Sequence, residues 1–289
     1  SLPESAGVGA AEVSTARVSA ARVSAAGVSA AGVVGVGLGI TGRVDPVTGT
    51  SLREPRIWDA PVMLAGPLAK ALGVPVTVDN NVRALALAEI LLTQTRKEPP
   101  QGLLFIKYGP GVGGAWTTGG LPWAGAHNRA VEIGHTLVEA EGPACPMCGR
   151  RGCLESLVSL GALREREAAL ADGVRRGEAR ARAGGKKSGG RIEDLLEAMA
   201  LVAPRDYALL AGRFARALGN AIEILDPSTV ALYGTPFRSG RLLGEIASHV
   251  KSTGRSCEIV LSGLDPDLPA LGGAALALDR FLEEGGPVC

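Results

Sequence analysis

The chain has 289 residues, 46% of them apolar, and 30 basic side chains against 29 acidic ones give a formal charge of +1. That is enough chain for a substantial core, in one large domain or two smaller ones, and the balance is that of a soluble globular protein. It lacks the basic excess that non-specific nucleic-acid binding would need.

In the first thirty residues Val13, Val18, Val23, Val28 and Val33 recur every five positions, most of them followed by Ser-Ala. Five residues advance a helix by about 500°, so successive valines fall about 140° apart and build no common face. Residues 1–32 are therefore an Ala-rich, low-complexity lead-in, and the repeat is assigned no role. Val23 to Ile40 is uncharged and follows Arg17 and Arg22, but its Ala, Ser, Gly and Val lack the Leu and Phe that drive membrane insertion.

Beyond the lead-in, strands are predicted over Val33–Ile40, with a turn at Thr41-Gly42, and over Val74–Val78. The latter leads through Asp79-Asn80-Asn81 into a helix over Val82–Leu92. A third strand, Leu103–Tyr108, ends in the Gly-rich turn Gly109-Pro110-Gly111-Val112-Gly113-Gly114. Its glycine spacing does not match a dinucleotide-binding fingerprint, and a hairpin turn is the simpler reading. A polar, basic stretch from Arg164 to Arg191 has a mobile loop predicted at Gly184–Gly190. Helices over Asp206–Leu225, Gly240–Val250 and Leu271–Leu282 alternate with strands over Thr229–Tyr233 and Cys257–Leu261. Strands alternating with helices imply an α/β fold. The expected division is 33–100 for the remainder of an N-terminal lobe and 101–289 for a C-terminal lobe carrying a loop at 135–153.

That loop carries the sharpest chemical signal. His135, Cys145, Cys148 and Cys153 lie in Gly134-His135…Cys145-Pro146-Met147-Cys148-Gly149-Arg150-Arg151-Gly152-Cys153-Leu154-Glu155. Three thiolates and an imidazole on one short loop can close a tetrahedral site, the set that Zn²⁺ prefers, with no position left open for catalysis. The competing readings are packed reduced thiols, or a disulfide with one cysteine left over. Three of the five cysteines fall within nine residues, which fits a metal site in a reducing compartment better than a disulfide framework.

An acidic residue, Ile-Gly-His, a cysteine ten residues on and then Cys-Gly-x-x-Gly-Cys-x-Glu resemble the signature of the ROK family of repressors and sugar kinases. One departure is the two residues between Cys145 and Cys148, where the family has one; Cys-x-x-Cys is itself a good chelating spacing. The resemblance extends to Val36–Asp45, to Val76–Val82 running on to Ala88-Glu89, to the hairpin Lys107–Gly125, and to Leu225-Asp226-Pro227 through Tyr233-Gly234. It implies an actin-like (ribonuclease H-like, hexokinase-like) ATPase-type α/β fold with an incomplete N-terminal part and a zinc loop shaping a monosaccharide pocket. Carried over by position, Asn80, Asn81, Glu132, His135 and Glu155 are the sugar-binding residues. Amides, carboxylates and an imidazole suit hydroxyls that each donate and accept. His135 would serve both metal and sugar, while Glu132 and Glu155 could instead buttress the zinc loop.

The kinase half of the resemblance breaks down at several points. Asn81 stands where the family has its catalytic Asp, and an amide cannot accept the proton of an attacking hydroxyl. Pro110 replaces the Thr of a Gly-Thr-Gly phosphate turn and offers neither hydroxyl nor backbone N–H. Gly234-Thr235 stands for the Gly-Gly of the adenosine site, and the N-terminal Asp-x-Gly-Gly-Thr-type phosphate turn is absent. The resemblance is therefore closest to the family's transcriptional regulators. The chain is expected to be their sugar-binding effector and dimerisation core, cytoplasmic, with structural Zn²⁺ and no kinase activity. Its expected partners are a monosaccharide or sugar derivative and a second copy of itself, as a homodimer or a dimer of dimers. DNA contact is expected only through a helix-turn-helix domain that is absent from this chain, and no membrane contact is expected. The alternatives are a sugar kinase with a degenerate site and a scaffold without ligand. Trp58, Trp116 and Trp123 are expected to pack in the core or hairpin, and Cys257 and Cys289 receive no role.

Overall fold

The computed structural model describes residues 32–54, 57–58, 60–93, 100–165, 192–238, 240–252, 254 and 257–285. The valine repeat before residue 32, the loop expected at 184–190 and Cys289 lie outside them. By its contacts the chain divides into Ser1–Val33 and Val34–Cys289, and the second unit is the α/β body.

Two parallel strands, β1 (Val36–Ile40) and β5 (Val76–Asn80), form one small sheet. Between them in sequence, β2 (Arg43–Asp45), β3 (Thr50–Arg53) and β4 (Val62–Met63) make a separate antiparallel sheet, followed by helix α1 (Ala65–Leu72). The predicted strand at 74–78 runs two residues later. Pro75 has no N–H for a ladder, and its carbonyl accepts from Val36 instead. At the other end, Asp79 and Asn80 continue the strand opposite Gly39 and Ile40.

Asn80 then caps helix α2 (Asn81–Leu92). Its Oδ1 accepts from the N–H groups of Val82 (2.8 Å) and Arg83 (3.3 Å), and its Nδ2 donates to the Gly42 carbonyl (2.8 Å). One amide thus ends the strand, starts the helix and anchors the turn before β2. Asn80→Ala is expected to cost about 1–2 kcal/mol in urea denaturation; an unchanged midpoint would remove this role.

The larger sheet has the order β10-β9-β6-β7-β8, from β6 (Gly102–Tyr108), β7 (Val112–Thr118), β8 (Leu121–Pro122), β9 (Thr229–Tyr233) and β10 (Glu258–Leu261). β10, β9 and β6 are parallel, while β7 and β8 return antiparallel as the predicted hairpin. β9, Thr229 followed by Val230, Ala231, Leu232 and Tyr233, is buried on both faces, as parallel central strands require. One face packs Leu103, Phe105, Ala231 and Tyr233 against α2 and against α8 (Leu271–Glu283) through Ala275 and Leu276. The other packs Leu104, Ile106 and Leu232 against α4 (Ile192–Val202), α5 (Pro204–Leu225) and α7 (Arg241–Ser252). Tyr108, Phe214 and Phe237 meet there with ring centroids 5.3–5.8 Å apart. α5 begins two residues earlier than predicted because Pro204 fits its first turn, where no N–H is needed. Trp116 packs against the core as expected; Trp58 donates its indole N–H to Ser51 (3.0 Å), and Trp123 is exposed.

Candidate functional site

The loop carrying the metal-ligand candidates runs from a 3-10 turn at Ile133–His135 to a short helix, α3 (Leu154–Val158). Leu137 pairs with Cys153 and Ala144 with Arg151 as antiparallel bridges, closing a small knuckle. Within it the Cys145 N–H donates to the Arg150 carbonyl (2.7 Å) and the Gly149 N–H to the Cys145 carbonyl (2.8 Å). Gly152 has φ 70°, and a Cβ there would lie 1.6 Å from the Glu139 carbonyl oxygen, so the knuckle closes only with glycine at that point.

This fold gathers one donor atom from each of His135, Cys145, Cys148 and Cys153 to within 4.8 Å of one another. His135 Nδ1 lies 3.7 Å from Cys145 Sγ, and Cys148 Sγ lies 3.5 Å from Cys153 Sγ. A tetrahedron with metal–sulfur bonds of about 2.3 Å has edges near 3.8 Å, so these donors are placed to hold a metal ion. Burial alone would raise the Cys148 thiol, but the backbone and guanidinium of Arg150 and the neighbouring thiols outweigh it and bring it to about 7. Burial, reinforced by those same thiols, pushes Cys153 up to about 12. Arg150 is thus the local counter-charge to the sulfur cluster, and its Nη2 also donates to the His135 carbonyl (3.0 Å).

Two further arginines, not anticipated from sequence, fasten the loop to α5. Arg213 pairs with Glu139, and Arg216 donates to the Val138 carbonyl (3.1 Å). Their spacing along one helix face was visible in the sequence, but their partners were not.

The five positions carried over as sugar ligands border the Gly-rich turn from two sides. Glu155 accepts the Val112 N–H through Oε2 (3.0 Å), and a Cβ on Gly134, beside His135, would meet that same oxygen at 3.4 Å. From the other side, Val82 of the first turn of α2 touches Gly113, which brings Asn80 and Asn81 to the turn. Asn80 is occupied as the helix cap. The Asn81 amide, the exposed Glu132 carboxylate and His135 Nε2 have no hydrogen-bond partner among the described residues.

The turn itself is heavily committed to the protein. The Gly109 N–H donates to the Gly111 carbonyl (3.0 Å), the Val112 N–H serves Glu155, and Pro110 has none to offer. The Pro110 carbonyl accepts from Leu160 (3.0 Å), which ties the turn to the segment after α3. At the end of β9, the Thr235 hydroxyl donates to Glu193 (2.7 Å).

A family model described as "ROK family" matches residues 19–280, and the chain belongs to that family. Its relatives fall on both sides of the family. A glucokinase of Thermotoga maritima is 30% identical over 85% of this chain and 80% of its own length. The uncharacterized protein YphH of Escherichia coli is 37% identical over 44% of this chain, a match spanning 32% of YphH. Among solved structures, a ROK family transcriptional regulator, a homologue of the E. coli MLC protein, superimposes with a TM-score of 0.70 at 25% identity. That likeness covers 83% of this chain and 60% of the regulator. The actin-like, hexokinase-type α/β fold expected from the sequence is thereby supported.

Proposed function

We propose that this chain is the sugar-binding effector core of a ROK-family transcriptional regulator, without kinase activity, and that its His/Cys knuckle holds a structural zinc ion. One contrast carries the reading. The polar groups a sugar would need are unpaired at the Gly-rich turn, while most of the groups a phosphate would need there are missing or already bonded. The Asn81 amide and Glu132 carboxylate can exchange hydrogen bonds with hydroxyls, and His135 Nε2 can do so while Nδ1 faces the metal. A phosphoryl-transfer site instead relies on free backbone donors and a base beside the nucleophile. Here Gly109 and Val112 have spent their N–H groups, Pro110 has none and Asn81 is no base. The zinc ion would hold His135 in place, and its closed Cys₃His set leaves no coordination position for a substrate.

The lobe division at residue 100, cytoplasmic placement and pairing with a second copy belong to the same reading. Among the described residues no helix is long and apolar enough to cross a membrane. DNA reading would require a helix-turn-helix domain in addition to this core.

The test is a melting-temperature screen of the zinc-loaded chain against monosaccharides, followed by an ATP-turnover assay. A ligand at about 100 times its Kd adds roughly 2.7 kcal/mol, a rise of several degrees for a chain of this size. One sugar is expected to give that shift, Glu132→Ala to abolish it, and ATP consumption to stay at background. Phosphorylation of the sugar would return the chain to the kinases, and no shift with any sugar would favour the scaffold.

A further inference from the structure

Strand β6 reads Gly-Leu-Leu-Phe-Ile-Lys-Tyr, and Lys107 is the single charge in that buried run. It stands opposite Gly113 on β7 and beside Tyr233 on β9. Directly paired residues project from the same face of a sheet. A Cβ on Gly113 would lie 2.8 Å from Val82 Cγ2, so that face looks onto the first turn of α2, one residue from Asn81. Lys107 therefore projects from the sheet at the edge of the candidate sugar site.

Among the described residues its ammonium has no ion-pair or hydrogen-bond partner. Burial pushes its pKa below the ordinary lysine value, and the field of Glu155 only partly offsets this. A half-buried ammonium without a partner is costly to the fold, and Met or Leu would extend the apolar run at no such cost. A ligand that brings the missing negative charge accounts for it.

The kind of anion follows from the charges around it. One ammonium and one amide NH₂, from Asn81, match the single charge and two acceptor oxygens of a carboxylate. A phosphate dianion would exceed the one positive charge, would meet about twice the repulsion that a carboxylate meets from Glu132 and Glu155, and would find the Gly109 and Val112 N–H groups already engaged. We propose that the ligand of this cleft is a carboxylated monosaccharide of the uronic-acid class, its carboxylate held by Lys107 and the Asn81 amide while its hydroxyls meet Glu132 and His135. This rests on the sugar-binding reading above and narrows it from any monosaccharide to an acidic one.

The test is calorimetric titration of the zinc-loaded chain with D-glucuronate, D-galacturonate and D-mannuronate, each beside its parent hexose and the corresponding hexose 6-phosphate. One uronate is expected to bind at least about tenfold more tightly than both counterparts, the scale of one charge-assisted hydrogen bond. In Lys107→Met that preference collapses and in Lys107→Arg it survives. The sugar-free fold is checked separately, since zinc-loaded Lys107→Met without sugar should melt at the same temperature as the parent or higher. A hexose or a 6-phosphate binding as tightly as its uronate, or a uronate preference that persists in Lys107→Met, overturns the inference. Hexose binding without uronate binding overturns it while leaving the sugar reading intact; binding of no sugar overturns both.

Discussion

Chelating the metal from the zinc-loaded protein is expected to lower its melting temperature by about 10 °C or more, and Cys153→Ser to do the same without chelator. Structural zinc contributes roughly 10–16 kcal/mol in isolated finger peptides. Even a third of that, at about 2–4 °C per kcal/mol for a chain of this size, gives a shift of this order. Cys145 and Cys153 are both buried, and six backbone hydrogen bonds within His135–Cys153 hold the knuckle whose donors the metal would join. The effect extends beyond the loop, because Arg213 and Arg216 tie it to α5 and so to the larger core. Protons compete with the metal for the same atoms. Cys153, held up at about 12 without metal, must lose its proton to bind, so zinc affinity climbs with pH and acidification releases the ion. Melting curves with and without EDTA, alongside released zinc measured with a chelating dye, decide the matter. A chelated protein that melts within a degree of the loaded one would mean that the knuckle holds without metal.

How much of this was legible in the sequence depended on whether the cause was local. The knuckle was, because its donors lie within nineteen positions of one another, from His135 to Cys153, and their types name a metal. So were β6, β9 and α5, whose apolar patterns agree with their burial. The small sheet of β2, β3 and β4 was not: Arg43-Val44-Asp45 and Thr50-Ser51-Leu52-Arg53 are short, polar and without clear alternation, and only pairing makes them strands. The Asp79-Asn80-Asn81 run reads as a turn because those residues favour turns. A tertiary contact overrides that preference, since Asp79 and Asn80 pair with Gly39 and Ile40 of β1 and so continue the strand. Lys107 was passed over because nothing in a linear run of apolar residues shows which strand and helix its side chain will face.

Asp79→Ala is expected to cost about 3–5 kcal/mol, the second large effect. The Arg83 side chain is only 5% exposed and directs both Nε (2.9 Å) and Nη2 at Asp79 Oδ1, while Nη2 also donates to the Val44 carbonyl (2.9 Å). Asp79 Oδ1 further accepts from the Asn80 N–H (2.6 Å). One carboxylate thus joins β5, the start of α2 and, through Arg83, the β2–β3 hairpin. Truncating it leaves a guanidinium buried without its counter-charge, which is why breaking such a pair costs more than the pair contributes. Replacing both partners, as Asp79→Ala with Arg83→Met, should therefore recover much of the loss, because an apolar pair leaves no charge stranded. Urea denaturation of the two single variants and the double variant measures this coupling. If Asp79→Ala falls within about 1 kcal/mol of the parent, the pair is a surface-like bridge. The position of Asn81, the residue after the cap this carboxylate helps to hold, would then need another support.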